Sequence, residues 1–448
     1  MKKGLFFALA ASSLLFSACS SDDAVVSTEG QNEAVQQIVL QVASSGDGLS
    51  TRAGRPLYSS QALQTIQNVR VVIYNATTKA IVKDTKLDWK ESTIYKTNGH
   101  GRQFTISLKG DNRLAEGNYK VMAVGYSEGS DYTYALDVTG EDLTGKTYSD
   151  ITATLKAGKV AEEVFAGDAD LKINADKKIT NLTEGEENGV AVTLHRQVAG
   201  SFGYFQNIPA SVNGKIAKTL RLVVRDKNDM LTFKDFNSSF TANGATGSTV
   251  KYYVNGSKST AAPASDAQFK GGDNGYVLYS IDLSKWFTNG DKNKDGLLNA
   301  EDTWQHPGDV KTQVVQGSVF GSSFVIPFNL TSGKSTMELQ LLDAEGNIIK
   351  FWTVSIPSTD VNSDDTKGVT DENASIFNVV RNHMYNLGVK TSNGTTDPDP
   401  SNPTPDPDPD KPKPEPGTDQ PEDLSKSQNL ILKVNDNWEA IHKLVLGD

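Results

Sequence analysis

Short runs in which apolar and polar residues alternate recur along nearly the whole chain, and they leave few folds open. Gln37–Ala43, Val69–Tyr74, Gln103–Leu108, Tyr119–Tyr126, Ala191–Ala199, Leu220–Arg225, Tyr276–Leu283, Ser323–Phe328, Met337–Leu342, Ile348–Val354 and Met384–Val389 are such runs, set between clusters of Gly, Asn, Asp and Ser. A period of two gives each run a core face, and the spacing suits antiparallel sandwiches rather than strand–helix–strand units. Helical patterns are few, at Ser60–Thr65 and in a turn near Leu283–Phe287. The expected fold class is all-β. A boundary is placed near Gly200, because the runs on either side suffice to close a sandwich each. The expected organisation is a leader over 1–19, a tether over 20–34, sandwiches over 35–200 and 201–396, a Pro/Asp-rich linker over 397–426 and a final strand over 427–448.

That final strand is unusual. Asp397–Pro421 reads DPDPSNPTPDPDPDKPKPEPGTDQP, and an apolar segment comes after it. Leu430, Leu432, Val434, Trp438, Ala440, Leu444 and Leu446 fall on even positions, so an extended chain puts them on one face, interrupted at Asp436 and His442. A tethered apolar strand with no local partner is a donor to another molecule or a liability that natural chains avoid.

The other end is an export signal. Lys2 and Lys3 precede the apolar run Gly4–Phe16, which is too short to span a membrane as a helix and ends in Ser17-Ala18-Cys19. Cys19 is the only cysteine, which excludes an intramolecular disulfide. Its place after Ser-Ala fits a lipobox, whose thiol takes a diacylglycerol, although Phe16 stands where Leu is usual. The net charge is −11 and basic blocks are absent, which disfavours nucleic acid and anionic membrane as partners. Membrane attachment would rest on the lipid of the precursor alone.

Gly46–Pro56 is a small, polar loop after the first strand, the kind of place where proteases cut. The bond after Arg55 is protected by Pro56, whereas Arg52–Ala53 has no such block. A cut after Arg52 would release Cys19 together with the strand Gln37–Ala43. Loss of that strand would leave an apolar groove flanked by unpaired backbone. A tail lent to a neighbour's groove is a heterologous, non-closing contact, which builds filaments. The spacer leaves a second destination open, the chain's own groove.

Asp291–Asp302 matches the twelve-residue calcium pattern, with oxygen side chains at Asp291, Asn293, Asp295, Asn299 and Asp302, the Leu297 carbonyl, and Gly296 at the sharp turn. Asp rather than Glu closes it, as in dockerin-type loops. The expected cofactor is a structural calcium ion. No catalytic constellation emerges: the five histidines lack metal-ligand spacing, and nucleophile-elbow, P-loop and dinucleotide motifs are missing. The chain reads as a non-enzyme. Its Trp residues, among them Trp89, Trp286, Trp304 and Trp352, read as core or interface before they read as sugar platforms.

Several stretches in order resemble Bacteroidales fimbrillins, the subunits of type V pili. They are the signal ending in Cys19, the Arg52-Ala53 loop after the first strand, Val164–Gly167 with Val192–Ala199, Arg381–Tyr385 before a late strand, and the tail with Val434–Trp438. Ser20–Asp23 also resembles a surface-export signal of Bacteroidetes lipoproteins. The resemblance implies two transthyretin-like β-sandwiches, lipoprotein export, cleavage by an arginine-specific protease, and polymerisation through a C-terminal donor strand. Carried over, Arg52 and Ala53 flank the cut and Leu430–Leu446 is the donor. The implied partners are other fimbrial subunits in a homopolymer, with host or bacterial surface ligands beyond. A removable first strand plus a donor tail describes a stalk subunit; an anchor or tip subunit is the alternative within the family. A surface glycan-binding lipoprotein is the alternative of another class. The Pro/Asp spacer departs from the family: at about 3.1 Å per residue it could span on the order of 75 Å.

Overall fold

The computed structural model describes residues 35–42, 66–94, 102–183, 186–224, 228–234, 236, 255–257, 276–310, 314–328, 337–355, 379, 381, 384–389, 419–426 and 429–435. Cys19, Arg52, Ala53, Trp438, Ala440, Leu444, Leu446 and the expected helix at Ser60–Thr65 lie outside these residues. Within them the architecture is all-β, with one short α-helix, Leu283–Trp286, where the turn was expected, and two single 3₁₀ turns, Trp89–Glu91 and Gly110–Asn112.

An eight-stranded sheet dominates the first part. Its order is Ile81–Asp88, Asn68–Asn75, Gly117–Tyr126, Phe165–Ile173, Gly189–Arg196, Gln36–Val42, Arg102–Leu108, Thr93–Ile94. The strand Gly189–Arg196 is the fold line. Its residues 189–194 pair in parallel with the first strand, while His195 and Arg196 pair with Ala166 and Phe165. The sheet therefore folds over at this strand, and Ile38, Leu40, Val192 and Leu194 share one buried core with Val69, Val71, Val121 and Phe165. Gly167 sits at the fold because a Cβ there would fall 1.9 Å from the Thr193 carbonyl oxygen, an approach only glycine permits.

The opposite face is covered as well. Val72, Tyr74, Met122, Val124 and Tyr126 pack beneath a four-stranded sheet of Tyr132–Tyr134, Thr152–Leu155, Met230–Thr232 and Gly256–Ser257. A strand buried on both faces reads as a continuous apolar run, which is why VRVVIY lacks strict alternation. The last two strands of this layer come from beyond Gly200. Leu231, Phe233 and Phe236 join the core of the first part, so the chain does not divide cleanly at that residue. These residues complete the cover over Val72, Met122 and Val124, which belong to the same buried cluster.

Two sheets sandwich the third core. One runs Ser318–Val325, Ala199–Gln206, Met384–Leu387, Lys433–Asn435, with Glu422–Asp423 also paired to Ala199–Gln206. The other runs Tyr276–Asp282, Thr219–Val224, Met337–Leu342, Ile348–Ser355, Asn429–Ile431. Between them lie Phe202, Tyr204, Leu222, Phe320, Leu339, Trp352 and Tyr385.

Two buried ion pairs tie the first part together. Arg196 meets Glu163 at 2.7 Å with both side chains at most 3% exposed. Arg70 pairs with Asp84 and also donates to the carbonyls of Gly140 and Glu141. Buried tyrosines set an alkaline limit. Burial, aided by the Asp168 carboxylate, pushes the Tyr74 hydroxyl up to about 12, and burial does the same to Tyr204. Burial also raises Tyr132 and Tyr279. Folding favours the neutral phenols, so their contribution to stability is complete below about pH 10, the ionisation of an unfolded tyrosine. It is lost as the pH rises from about 10 to 12. Tyrosinate absorbance should therefore lag free tyrosine until unfolding, in one cooperative step, brings the remaining groups into titration.

Candidate functional site

The first strand is the inner strand of its neighbourhood. Gln36–Val42 lies between Arg102–Leu108, antiparallel, and Gly189–Leu194, parallel, so both of its edges are hydrogen-bonded. Ile38 and Leu40 are fully buried. Its entry point is locked by a side chain that the sequence did not single out: Gln36 Nε2 donates to the carbonyls of Leu114 (3.1 Å) and Lys177 (2.9 Å), and Leu114 N–H donates to Gln36 Oε1 (2.8 Å). Glutamine in an alternating run looks like a surface residue; only its partners in two distant turns show otherwise. Gln41 Nε2 donates to Thr193 Oγ1 at 3.1 Å on the outer face.

These contacts define what a cut between Val42 and Ile66 would do. Everything up to Val42 would then be held by non-covalent contacts alone. Withdrawing the strand would leave two unpaired ladders about 10 Å apart, twice the usual strand spacing, next to the apolar core of Val69, Val71, Val121 and Phe165. Burying Ile38 and Leu40 is worth about 1.5–3 kcal/mol each. Such a slot would be refilled by any strand with matching apolar positions.

The tail lies elsewhere. The sequence suggested a strand with no local partner, but its described residues, 429–435, pair with the chain's own second sandwich. Asn429–Ile431 runs parallel to Thr353–Ser355, and Lys433–Asn435 runs antiparallel to Met384–Asn386. The chain crosses from one sheet to the other at Leu432, so both layers are capped by one short segment. Leu430 and Leu432 are fully buried among Trp352, Val354 and Tyr385. Val434 contributes backbone pairing with Tyr385. The expected linker is also shorter than 397–426, since Leu424 is fully buried in the same core. Composition hid this, because Pro421, Glu422 and Asp423 continue the spacer's chemistry, while the backbone of Glu422 and Asp423 pairs with Phe205 and Gln206.

The loop Asp291–Asp302 closes on itself. Gly296 and Lys294 take left-handed conformations at φ 87° and 62°. Asp291 Oδ2 accepts from Gly296 N–H at 2.9 Å, and the buried Asp302 accepts from Lys292 N–H (2.8 Å) and Asn299 N–H (3.0 Å). Asp295 accepts from Leu297 N–H at 2.8 Å, a bond that holds its carboxyl below the usual range. Asn299 Nδ2 and Asn293 Nδ2 both donate to Asp295 Oδ2. Among the described residues no three His, Cys, Asp or Glu side chains gather as a metal group. One atom is left over: Asp291 Oδ1 is buried without a hydrogen-bond partner, as a ligand oxygen would be.

A polar hollow of about 290 Å³ opens where Phe165–Ile173 and Gly189–Arg196 part, lined by Asp168, Asp170, Asn181, Thr183, Ala191 and Thr193 among others. No aromatic ring lines it. Trp89, Trp286 and Trp352 are buried in the cores, and Trp304 is half-buried with its indole N–H donating to the Ser318 carbonyl. None of the described tryptophans stands as an exposed sugar platform.

No protein-family model and no curated protein matches the chain. Solved structures do. A protein from Bacteroides thetaiotaomicron provisionally assigned as an adhesin is 12% identical, with 80% of this chain and 92% of that one covered at a TM-score of 0.39. A fimbrial assembly protein from Parabacteroides distasonis is 13% identical, with 80% and 91% covered at 0.32. All lie below 0.5 in TM-score, and residue roles are therefore argued from this chain alone. The fimbrial anchor protein Mfa2 from Porphyromonas gingivalis completes the set, 13% identical with 79% and 90% covered at 0.33, so the solved structures this chain is similar to include Bacteroidales fimbrial proteins.

Proposed function

We propose that this chain is a structural subunit of a cell-surface fimbria. It is exported as a lipoprotein on Cys19, cut after Arg52, and joined to another copy by a donor strand that fills the vacated slot. The observation that carries the reading is the position of Gln36–Val42, paired on both edges and followed in sequence by the stretch 43–65 that holds Arg52. A strand placed there can be removed and replaced without redesigning its neighbours. The stalk role comes from having both a removable strand and a donor tail; anchor and tip subunits need only one of the two. Mass spectrometry of the N-termini of surface-derived protein tests this: a stalk subunit starts at Ala53, whereas a lipidated Cys19 start on all copies would replace the stalk role with that of an anchor.

Calcium in the 291–302 loop belongs to the same reading, as an ion that stiffens an excursion of the second sandwich. It would turn Asp291 Oδ1 into a ligand and draw Asp302 and Asp295 from their backbone donors. Millimolar calcium is expected to raise the midpoint of thermal unfolding by several degrees relative to chelator, an effect lost in Asp291→Ala. Equal midpoints with and without calcium would remove the ion from the account.

A further inference from the structure

We infer that residues 419–435 are an intramolecular clip that closes the second sandwich, and that the tail available to a neighbour is confined to residues 436–448. The second half of this statement rests on the fimbrial reading; the first does not.

The clip is fastened at four points. Val389 N–H donates to the Gln420 carbonyl at 2.7 Å, and Gln420 N–H returns a bond to the Val389 carbonyl at 2.8 Å. Glu422 and Asp423 pair with Phe205 and Gln206, and Leu424 N–H donates to the Gln206 carbonyl at 3.1 Å. Asn429–Ile431 and Lys433–Asn435 then join opposite sheets. The buried Tyr204 adds a side-chain tie, with its hydroxyl accepting from Val315 N–H at 2.9 Å and donating to Asp419 at 3.2 Å.

Gly388 shows how closely the body is fitted to this segment. Its φ is +77°, and a Cβ there would meet the Tyr204 carbonyl oxygen at 2.4 Å, Glu422 N at 3.1 Å and Gln420 O at 3.2 Å. Only glycine lets the clip lie where it does.

The Val389–Gln420 pair changes the meaning of the Pro/Asp segment. Paired residues in an antiparallel bridge are about 5 Å apart. The two ends of the intervening stretch are therefore brought to one place, however long it is. Its length adds nothing to the tail's reach while the clip is closed. Three fully buried leucines, Leu424, Leu430 and Leu432, make opening it equivalent to uncovering a core. Within the even-numbered face read from the sequence, Leu430 and Leu432 are thereby committed at home, and Trp438, Ala440, Leu444 and Leu446 remain for exchange.

Cutting the loop tests the clip in the full chain. A specific protease site placed between Pro400 and Thr404 would divide the backbone without touching either strand. The fragment carrying 419–448 should co-elute with the body in native gel filtration and separate only in denaturant. Gly388→Ala in the same background should raise fragment loss at least tenfold. Prompt dissociation of the fragment under native conditions would overturn the clip. For the donor, chains truncated after Asn435 should keep the wild-type melting profile and lose all polymer. If that truncation polymerises normally, the boundary at Asp436 is wrong. If full-length processed chains form no polymer while the cut fragment stays bound, the clip stands and the fimbrial reading fails instead.

Discussion

Replacing Leu430 and Leu432 together with Ala is expected to unfold the second sandwich while the first remains folded. Each leucine is fully buried in the core that holds Trp352 and Tyr385. A buried Leu→Ala change costs about 2–5 kcal/mol, so the pair removes about 4–10 kcal/mol, comparable with the whole stability of a typical domain. The effect should be regional. Hydrogen exchange should lose protection in Thr219–Val224, Met337–Leu342 and Ile348–Ser355, which share that core. Protection should persist in Asn68–Asn75 and Gly117–Tyr126, whose cores do not include either leucine. Urea unfolding of the variant should split into two transitions. A donor that merely waits for a neighbour would behave differently: the same double substitution would leave the monomer's stability within about 0.5 kcal/mol, as surface changes do.

Arg52→Ala is expected to abolish polymer without changing the fold. Arg52 lies in the stretch between Val42 and Ile66, and the strand Gln36–Val42 is held on both edges by ladders running over most of its length. An uncut chain keeps that strand at high effective concentration, which an incoming donor cannot match. Surface extracts should pass from a ladder of heat-resistant oligomers to monomer. Arg55→Ala should have no effect, because Pro56 already protects that bond. Heat-resistant ladders of undiminished length in Arg52→Ala cells would mean that the first strand is not displaced.

Much of this architecture is legible in the sequence. Runs such as Met337–Leu342 and Tyr276–Asp282 carry apolar and aromatic residues between turn formers, and they emerge as strands within a residue or two of where the pattern placed them. What escaped has physical causes. Ile81–Asp88 is an edge strand, and Lys83, Lys86 and Asp88 give it charges that blunt an edge and, with the buried Asp84, mask the pattern. Ala199–Gln206 carries Gly200 and Gly203, and reads as a boundary although it is a strand and nearly all of it is buried. The run Ala191–Ala199 spans two strands broken at Gln197, because the chain changes from one sandwich to the next there. The return of Met230–Thr232 to the first part is a long-range pairing that no local window contains.

The candidate site divides the same way. The first strand was visible from its apolar run, while Gln36, which locks it, was not, since its partners Leu114 and Lys177 are distant in sequence. The tail's even-numbered apolar face was visible. Its destination was not, because the Pro/Asp segment suggests reach, and nothing in its composition says that Val389 and Gln420 meet at its base.

The most direct measurement is a structure of the assembled polymer from wild-type cells, with the chain traced between Arg102–Leu108 and Gly189–Leu194. The account requires a strand there that belongs to a neighbouring copy and comes from residues 436–448, with Asn429–Asn435 still seated in its own sandwich. Finding each subunit's own Gln36–Val42 in that position would contradict it.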